Sequence, residues 1–200
     1  DFHGQLNPLS AAADDIDAEG AVNESYAVGG VAYLAPWFGR FRAQARGETI
    51  LVTAGDAVGA TPPISNVFAD LPTIEAMNML SFTADSLGNH NFDAGADTMF
   101  GALAPAASFP YLSANLVPAR ADATPAPGAA PFQPSLMVEI DGVQVGLIGF
   151  SNPDIPQLTR PGALDPYRVI DPTAAITAEA EALRASGAEV VIAIGHLGAT

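Results

Sequence analysis

Three histidines, His3, His90 and His196, each stand in a short polar cluster: Asp1-Phe2-His3-Gly4, Gly88-Asn89-His90-Asn91-Phe92-Asp93, and Gly195-His196. A fourth cluster, Gly55-Asp56, brings a carboxylate in similar company. Imidazoles and carboxylates gathered this way can bind divalent cations or carry protons. The chain has no cysteine, which removes thiolate zinc sites, disulfides and cysteine nucleophiles. Any metal must therefore be held by oxygen and imidazole nitrogen. Taken singly, each cluster is ordinary loop chemistry, because Gly-Asp after a strand makes a turn and Asn-His is a common loop pair. Four of them in this order point to one metal site.

The elements that must position these residues follow from the apolar pattern. Runs at 50–54, 82–87, 111–114, 143–150 and 190–194 read as strands, and each finishes in polar residues. Residues 138–140 are expected to pair with 143–147 through the Asp141-Gly142 turn. Between the strands, Asp171-Pro172 caps a helix whose Ile176, Ala180 and Leu183 share one stripe and whose stop is Gly187. Val31, Leu34, Phe38 and Phe41 make a second stripe, with Pro36 either starting the helix or kinking it. Residues 66–80 read as helix broken near Pro72, and 117–134, rich in Ala and Pro, as an exposed, semi-rigid loop. There is no internal repeat. Alternating strand and helix signals give an α/β fold, in which ligands collect at the carboxyl ends of the strands.

Composition bounds what this site can serve. Two hundred residues, 49% hydrophobic with a mean hydropathy of +0.25, suffice for one sizeable core. No apolar run approaches the ~20 residues needed to cross a bilayer, so membrane insertion is not expected. The net charge of -15 sets 22 acids against 7 basic residues, all arginine, so no basic patch is available for a nucleic-acid polymer or an anionic lipid. The same field opposes a phosphorylated small molecule, but two bound divalent cations would reverse the potential locally.

The ordered motifs Asp1-Phe2-His3-Gly4-Gln5-Leu6, Val52-Thr53-Ala54-Gly55-Asp56, Gly88-Asn89-His90-Asn91-Phe92-Asp93 and Gly195-His196-Leu197-Gly198 resemble those of the calcineurin-like metallophosphoesterases, bacterial 5'-nucleotidase branch. Gly29-Gly30, Pro72-Thr73-Ile74-Glu75-Ala76-Met77-Asn78 and Ser113-Ala114-Asn115-Leu116 add to the likeness, which runs through nearly the whole chain. The resemblance implies a mixed β-sheet sandwich flanked by helices. It also implies two divalent metal ions, Zn²⁺, Mn²⁺ or similar, with Asp1 and His3 on one, Asp56 bridging, and Asn89 and His196 on the other. His90 would be no ligand but a contact to the reacting phosphate, oriented and kept protonated by Asp93. In-line attack on phosphorus by an activated water follows, most simply on a nucleoside monophosphate.

Two departures accompany the likeness. Asn91 stands where relatives usually carry an acid, which removes a negative charge near the metals. Residues 1–200 are expected to be one partial metallophosphoesterase domain, without the family's first strand, its last metal-binding segment and its nucleobase-binding domain. On that expectation the 200 residues alone bind metal weakly. The same dimetal core serves 2',3'-cyclic-nucleotide phosphodiesterases and broad nucleotide or sugar-phosphate phosphatases, which stay open as alternatives. A serine/threonine protein phosphatase is disfavoured, because no arginine adjoins Asp56 or His90. A non-catalytic relic is a reading of a different class, and the intact His90 and Asp93 argue against it. Resemblance favours a location outside the cytoplasm, and the sequence leaves oligomeric state open.

Overall fold

The apolar runs that end in polar residues do form strands, and these fall into three ladders. The computed structural model describes residues 1–9, 28–120 and 131–197. The first ladder is parallel, in the order β1 (Val52–Thr53), β2 (Ala84–Ser86), β3 (Tyr111–Leu112). A second joins β5 (Ser135–Ile140) antiparallel to β6 (Val143–Phe150), with β8 (Val190–Gly195) parallel on the other side of β6. The expected hairpin is present, with Ile140 opposite Val143 across a turn in which Asp141 and Gly142 both take positive φ. The third is a short antiparallel pair, β4 (Leu116–Pro118) with β7 (Tyr167–Val169).

The two larger sheets stack face to face. Ala84 and Leu112 of one and Val145 and Leu147 of the other are buried between them, with Ile50, Val52, Leu136 and Val138 packed around. Gly149 permits this approach, because a Cβ there would lie 2.2 Å from the Leu112 carbonyl oxygen. Side chains alternate along β6, so Leu147 faces the sandwich and its neighbour Ile148 faces the helix α7 (Pro172–Ala185), against Leu183. Burying such side chains is worth about 1.5–3 kcal/mol each. The opposite outer layer comprises α3 (Leu71–Met79), α4 (Ala96–Thr98), a wide π-helical turn Met99–Leu103 and α5 (Ala104–Ala106). Its core holds Ile74, Met77, Phe92, Met99 and Tyr111. Helix, sheet, sheet and helix thus form the expected α/β sandwich. Two further helices, α2 (Pro63–Asn66) and α6 (Ile155–Leu158), are single turns in loops.

The break expected near Pro72 is present: Ala69 and Asp70 both take positive φ, and Pro72 sits in the first turn of α3, where its missing N–H costs nothing. Another sequence expectation needs correction. The stretch 117–134 is not one exposed loop: Leu116–Pro118 is β4, Phe132 is buried, and Gln133 bridges to Leu112. Residues 121–130 of it, like Gly198 of the last motif, lie outside the described residues. Helix α1 (Val31–Gln44) contains Pro36 in its interior, and its stripe is only partly covered, with Phe38 edge-on to Phe82 but Phe41 60% exposed. Helix α7 follows expectation, since the Asp171 carboxylate accepts the Ala174 N–H and Gly187 takes φ 104 just past the end.

Candidate metal centre

The carboxyl ends of β1, β2 and β8 converge, and each delivers one of the polar clusters. Gly55 and Asp56 follow β1 in a tight turn with φ of 101° and 54°. Asp56 is 1% exposed, and its left-handed conformation is held from both sides. Asn91 Oδ1 accepts the Asp56 N–H at 3.0 Å and the Gly88 N–H at 2.8 Å, while Asp85 Oδ1 accepts the Gly55 N–H at 3.0 Å. Gly88 must be glycine, because a Cβ would fall 2.1 Å from Asp56 Oδ1. The next residue, Asn89, is half-buried at the start of the turn His90–Phe92, and its carbonyl accepts the Phe92 N–H.

The Asp56 carboxylate is the hub. Its Oδ1 accepts the His90 N–H at 2.8 Å, and its Oδ2 lies 3.0 Å from His196 Nε2. The first motif runs antiparallel to nothing regular, yet is pinned to the same turn, with the His3 N–H on the Asp56 carbonyl and the Gly4 N–H on that of Ala57, both at 3.0 Å. Asp1 Oδ1 then stands 3.5 Å from His3 Nε2 and 3.9 Å from His196 Nε2. Among the described residues, two groups have ligand atoms all within 4.8 Å of one another: His3, Asp56 and His90, and Asp1, Asp56 and His196. Both share Asp56, so five of the seven residues singled out from the sequence meet around one carboxylate, and Asn89 directly precedes His90, whose N–H that carboxylate accepts. His90 falls in the group of His3, Asp1 falls in that of His196, and Asp1 and His3 also approach each other to 3.5 Å.

The seventh, Asp93, is turned to His90. Its Oδ2 lies 2.9 Å from His90 Nδ1 and accepts the Ala60 N–H at 3.0 Å. A cleft of about 280 Å³ opens beside this pair, lined also by Asn66, Asp70 and Thr98. The His3 ring donates Nδ1–H to the Gly59 carbonyl at 2.8 Å, because a carbonyl can only accept. Nε2 of His3 is thereby left with its lone pair.

This donor set fits divalent cations. Oxygen and imidazole ligands suit Zn²⁺, Mn²⁺ and their neighbours, and an almost fully buried carboxylate among imidazoles gains most from a cation beside it. Each of His3 and His90 has its Nδ1 engaged by an oxygen, the arrangement that orients metal-site histidines. Three contributors escaped sequence reasoning in their actual roles. Asn91 is 3% exposed and acts as a double backbone acceptor. Asp85 is fully buried in β2, and burial, opposed by the Gly55 N–H, pushes its carboxyl up to about 7. An acid inside a strand run was the available signal. Asp70, behind the Gly59 loop, gave no signal, since it precedes Leu-Pro like an ordinary helix start.

No family model matches the chain. The cell wall protein Lmo0130 of Listeria monocytogenes is 31% identical over 98% of this chain and 26% of its own length. The 5'-nucleotidase of Bos taurus is 30% identical over 99% of this chain and 33% of its own. Among solved structures, the 5'-nucleotidase precursor of Thermus thermophilus superposes with a TM-score of 0.77 at 28% identity, covering 99% of this chain and 36% of that one. The calcineurin-like phosphoesterase YfkN of Bacillus subtilis gives 0.73 at 25%, over 100% and 60%.

The chain belongs to the calcineurin-like metallophosphoesterases. This metallophosphoesterase chain spans about a quarter to a third of the length of the curated relatives just named. Phosphoesterases of this kind are metal-dependent hydrolases, in keeping with the donor set around Asp56. No helix among the described residues is long and apolar enough to cross a membrane.

Proposed function

We propose that this chain carries the hydrolytic centre of a divalent-metal-dependent phosphomonoesterase acting on nucleoside monophosphates. The observation that carries the reading is the sharing of one buried carboxylate, Asp56, by two groups of potential ligands. Residues 1–200 are read as part of one metallophosphoesterase domain. Asp1, His3, Asp56, Asn89 and His196 would hold two cations of the zinc or manganese type. When bound, such cations lower the pKa of a water and neutralise charge on the phosphoryl oxygens.

The chain's own residues do the rest. Asp56 offers two oxygens from one rigid, desolvated position, so nothing reorganises when charge changes nearby. His90 Nδ1–H rests on Asp93, which fixes the ring and leaves Nε2 to hold a proton toward a phosphoryl or leaving oxygen. Both side chains are partly exposed, 35% and 41%, so a substrate can reach them. No side-chain nucleophile is required. A nucleotide as substrate is supported by the relatives named 5'-nucleotidase, and a location outside the cytoplasm by the cell wall relative.

Phosphate release from AMP, with Mn²⁺ or Zn²⁺ added and then removed by chelator, tests the reading on the full-length protein. Metal-dependent release is expected. A metal-loaded protein that releases no phosphate from any nucleoside monophosphate would overturn it.

A further inference from the structure

One loop touches both imidazoles whose Nδ1 is engaged. Gly59 accepts His3 Nδ1–H at its carbonyl, and the next residue, Ala60, donates its N–H to the Asp93 oxygen that receives His90 Nδ1–H. Gly59 and Ala60 take φ of 79° and 47°, a conformation in which alanine is strained, so the loop needs an external hold. Asp70 provides it. Its carboxylate Oδ2 accepts the Gly59 N–H at 3.0 Å, and Oδ1 accepts hydroxyl hydrogen bonds from Ser65, at 2.9 Å, and from Thr61. Ser65 is itself 2.6 Å from the Thr73 hydroxyl, and both are fully buried. Three donors converge on one carboxylate that is 8% exposed, and only an acceptor-only group can satisfy all three at once.

We infer that Asp70 is a positioning residue that sets the tautomers of His3 and His90 through the Gly59-Ala60 loop, leaving Nε2 of each free of its proton when the ring is neutral. Asp70 reaches neither imidazole directly. His196 is outside this control, because its Nε2 faces the acceptor Asp56 Oδ2 and so carries the proton. The three histidines are therefore expected in two classes, His3 and His90 with Nδ1–H and His196 with Nε2–H. The functional consequence rests on the metallophosphoesterase reading, since a free Nε2 on His3 is what a cation needs. The geometry does not depend on that reading.

Long-range ¹H–¹⁵N NMR of the metal-free protein reads all three tautomers directly. Asp70→Gly deletes the carboxylate and suits the positive φ of 62° at this position. It should shift His3 and His90 toward the Nε2–H form that free imidazole prefers, leave His196 unchanged, and weaken Mn²⁺ binding by roughly tenfold by calorimetry. Asp70→Asn tolerates the same backbone and keeps one oxygen for the Gly59 N–H, so it should restore most of the native signals. If Asp70→Gly does not fold, Asp70→Ser replaces it, because a serine hydroxyl is too short to reach Gly59. A folded Asp70→Gly or Asp70→Ser protein with native His3 and His90 signals overturns the inference. Native protein that binds no Mn²⁺ overturns the metal reading instead, and the tautomers still decide the role of Asp70.

Discussion

The Asp56 carboxylate accepts the backbone N–H of His90 at 2.8 Å, so the acid expected to join two cations also fixes the residue expected to hold the proton. The two functions are therefore separable by substitution. Asp56→Asn can keep the bond to His90 N–H through its remaining oxygen, and its amide can meet His196 Nε2 in the other tautomer. The fold should survive with a thermal midpoint within a few degrees, while metal affinity falls at least tenfold from loss of the central charge. Calorimetric titration with Mn²⁺ beside a thermal melt checks this. Undiminished affinity would remove Asp56 from the metal site.

His90 and Asp93 should behave in the opposite way. His90→Ala is expected to lower phosphate release by roughly 10²–10⁴-fold, the range for a positioned proton donor, with metal content unchanged. Asp93→Asn leaves an oxygen for the Ala60 N–H and should give a smaller loss. Because a ring nitrogen of His90 also lies within 4.8 Å of ligand atoms of His3 and Asp56, metal analysis of His90→Ala discriminates between roles. A drop in bound metal would make His90 a ligand.

How far these assignments were legible follows from the kind of signal each element carries. Strands β6 and β8 are long enough to show apolar continuity, and α7 announces itself by Asp171-Pro172 and Gly187. The pair β4 and β7 was missed because three residues carry no measurable period, and both strands adjoin or contain proline. The four polar clusters were legible because each sits in one short segment. The hold of Asp70 on Gly59, eleven residues away across two turns, exists only in three dimensions. So does the use of Asn91, which reads as a charge change near the metals but serves as a hydrogen-bond acceptor for two turns.

That role makes Asn91 testable by stability. Asn91→Asp retains an oxygen for the N–H groups of Asp56 and Gly88 but adds a buried charge near Asp56. The metal-free protein should lose stability, and divalent cations should restore it more than they do for the native chain. Asn91→Leu strands both N–H groups, at about 1–3 kcal/mol each. Urea denaturation with and without Mn²⁺ measures both, and an Asn91→Leu protein as stable as the native one would refute the acceptor role.

Asp85 gives a pH prediction of definite sign. Burial pushes its carboxyl from 3.8 to about 7 in the folded chain, against the opposing pull of the Gly55 N–H. Among the described residues its Oδ2 has no hydrogen-bond partner, nor has the Tyr111 hydroxyl, and the two residues are paired across β2 and β3. Between pH 3.8 and 7 the folded protein keeps a proton that the unfolded chain has lost, so stability falls as pH rises through this window and this contribution levels off above it. At about 1.4 kcal/mol per pH unit the whole span amounts to about 4 kcal/mol. Asp85→Asn keeps an oxygen for Gly55 and never ionises. It should match the native protein near pH 4, exceed it by a few kcal/mol at pH 8, and show a flatter profile between. Urea midpoints at pH 4, 5, 6, 7 and 8 decide the matter, and parallel profiles for the two proteins would mean that Asp85 is already ionised in the folded state at the low end of this range.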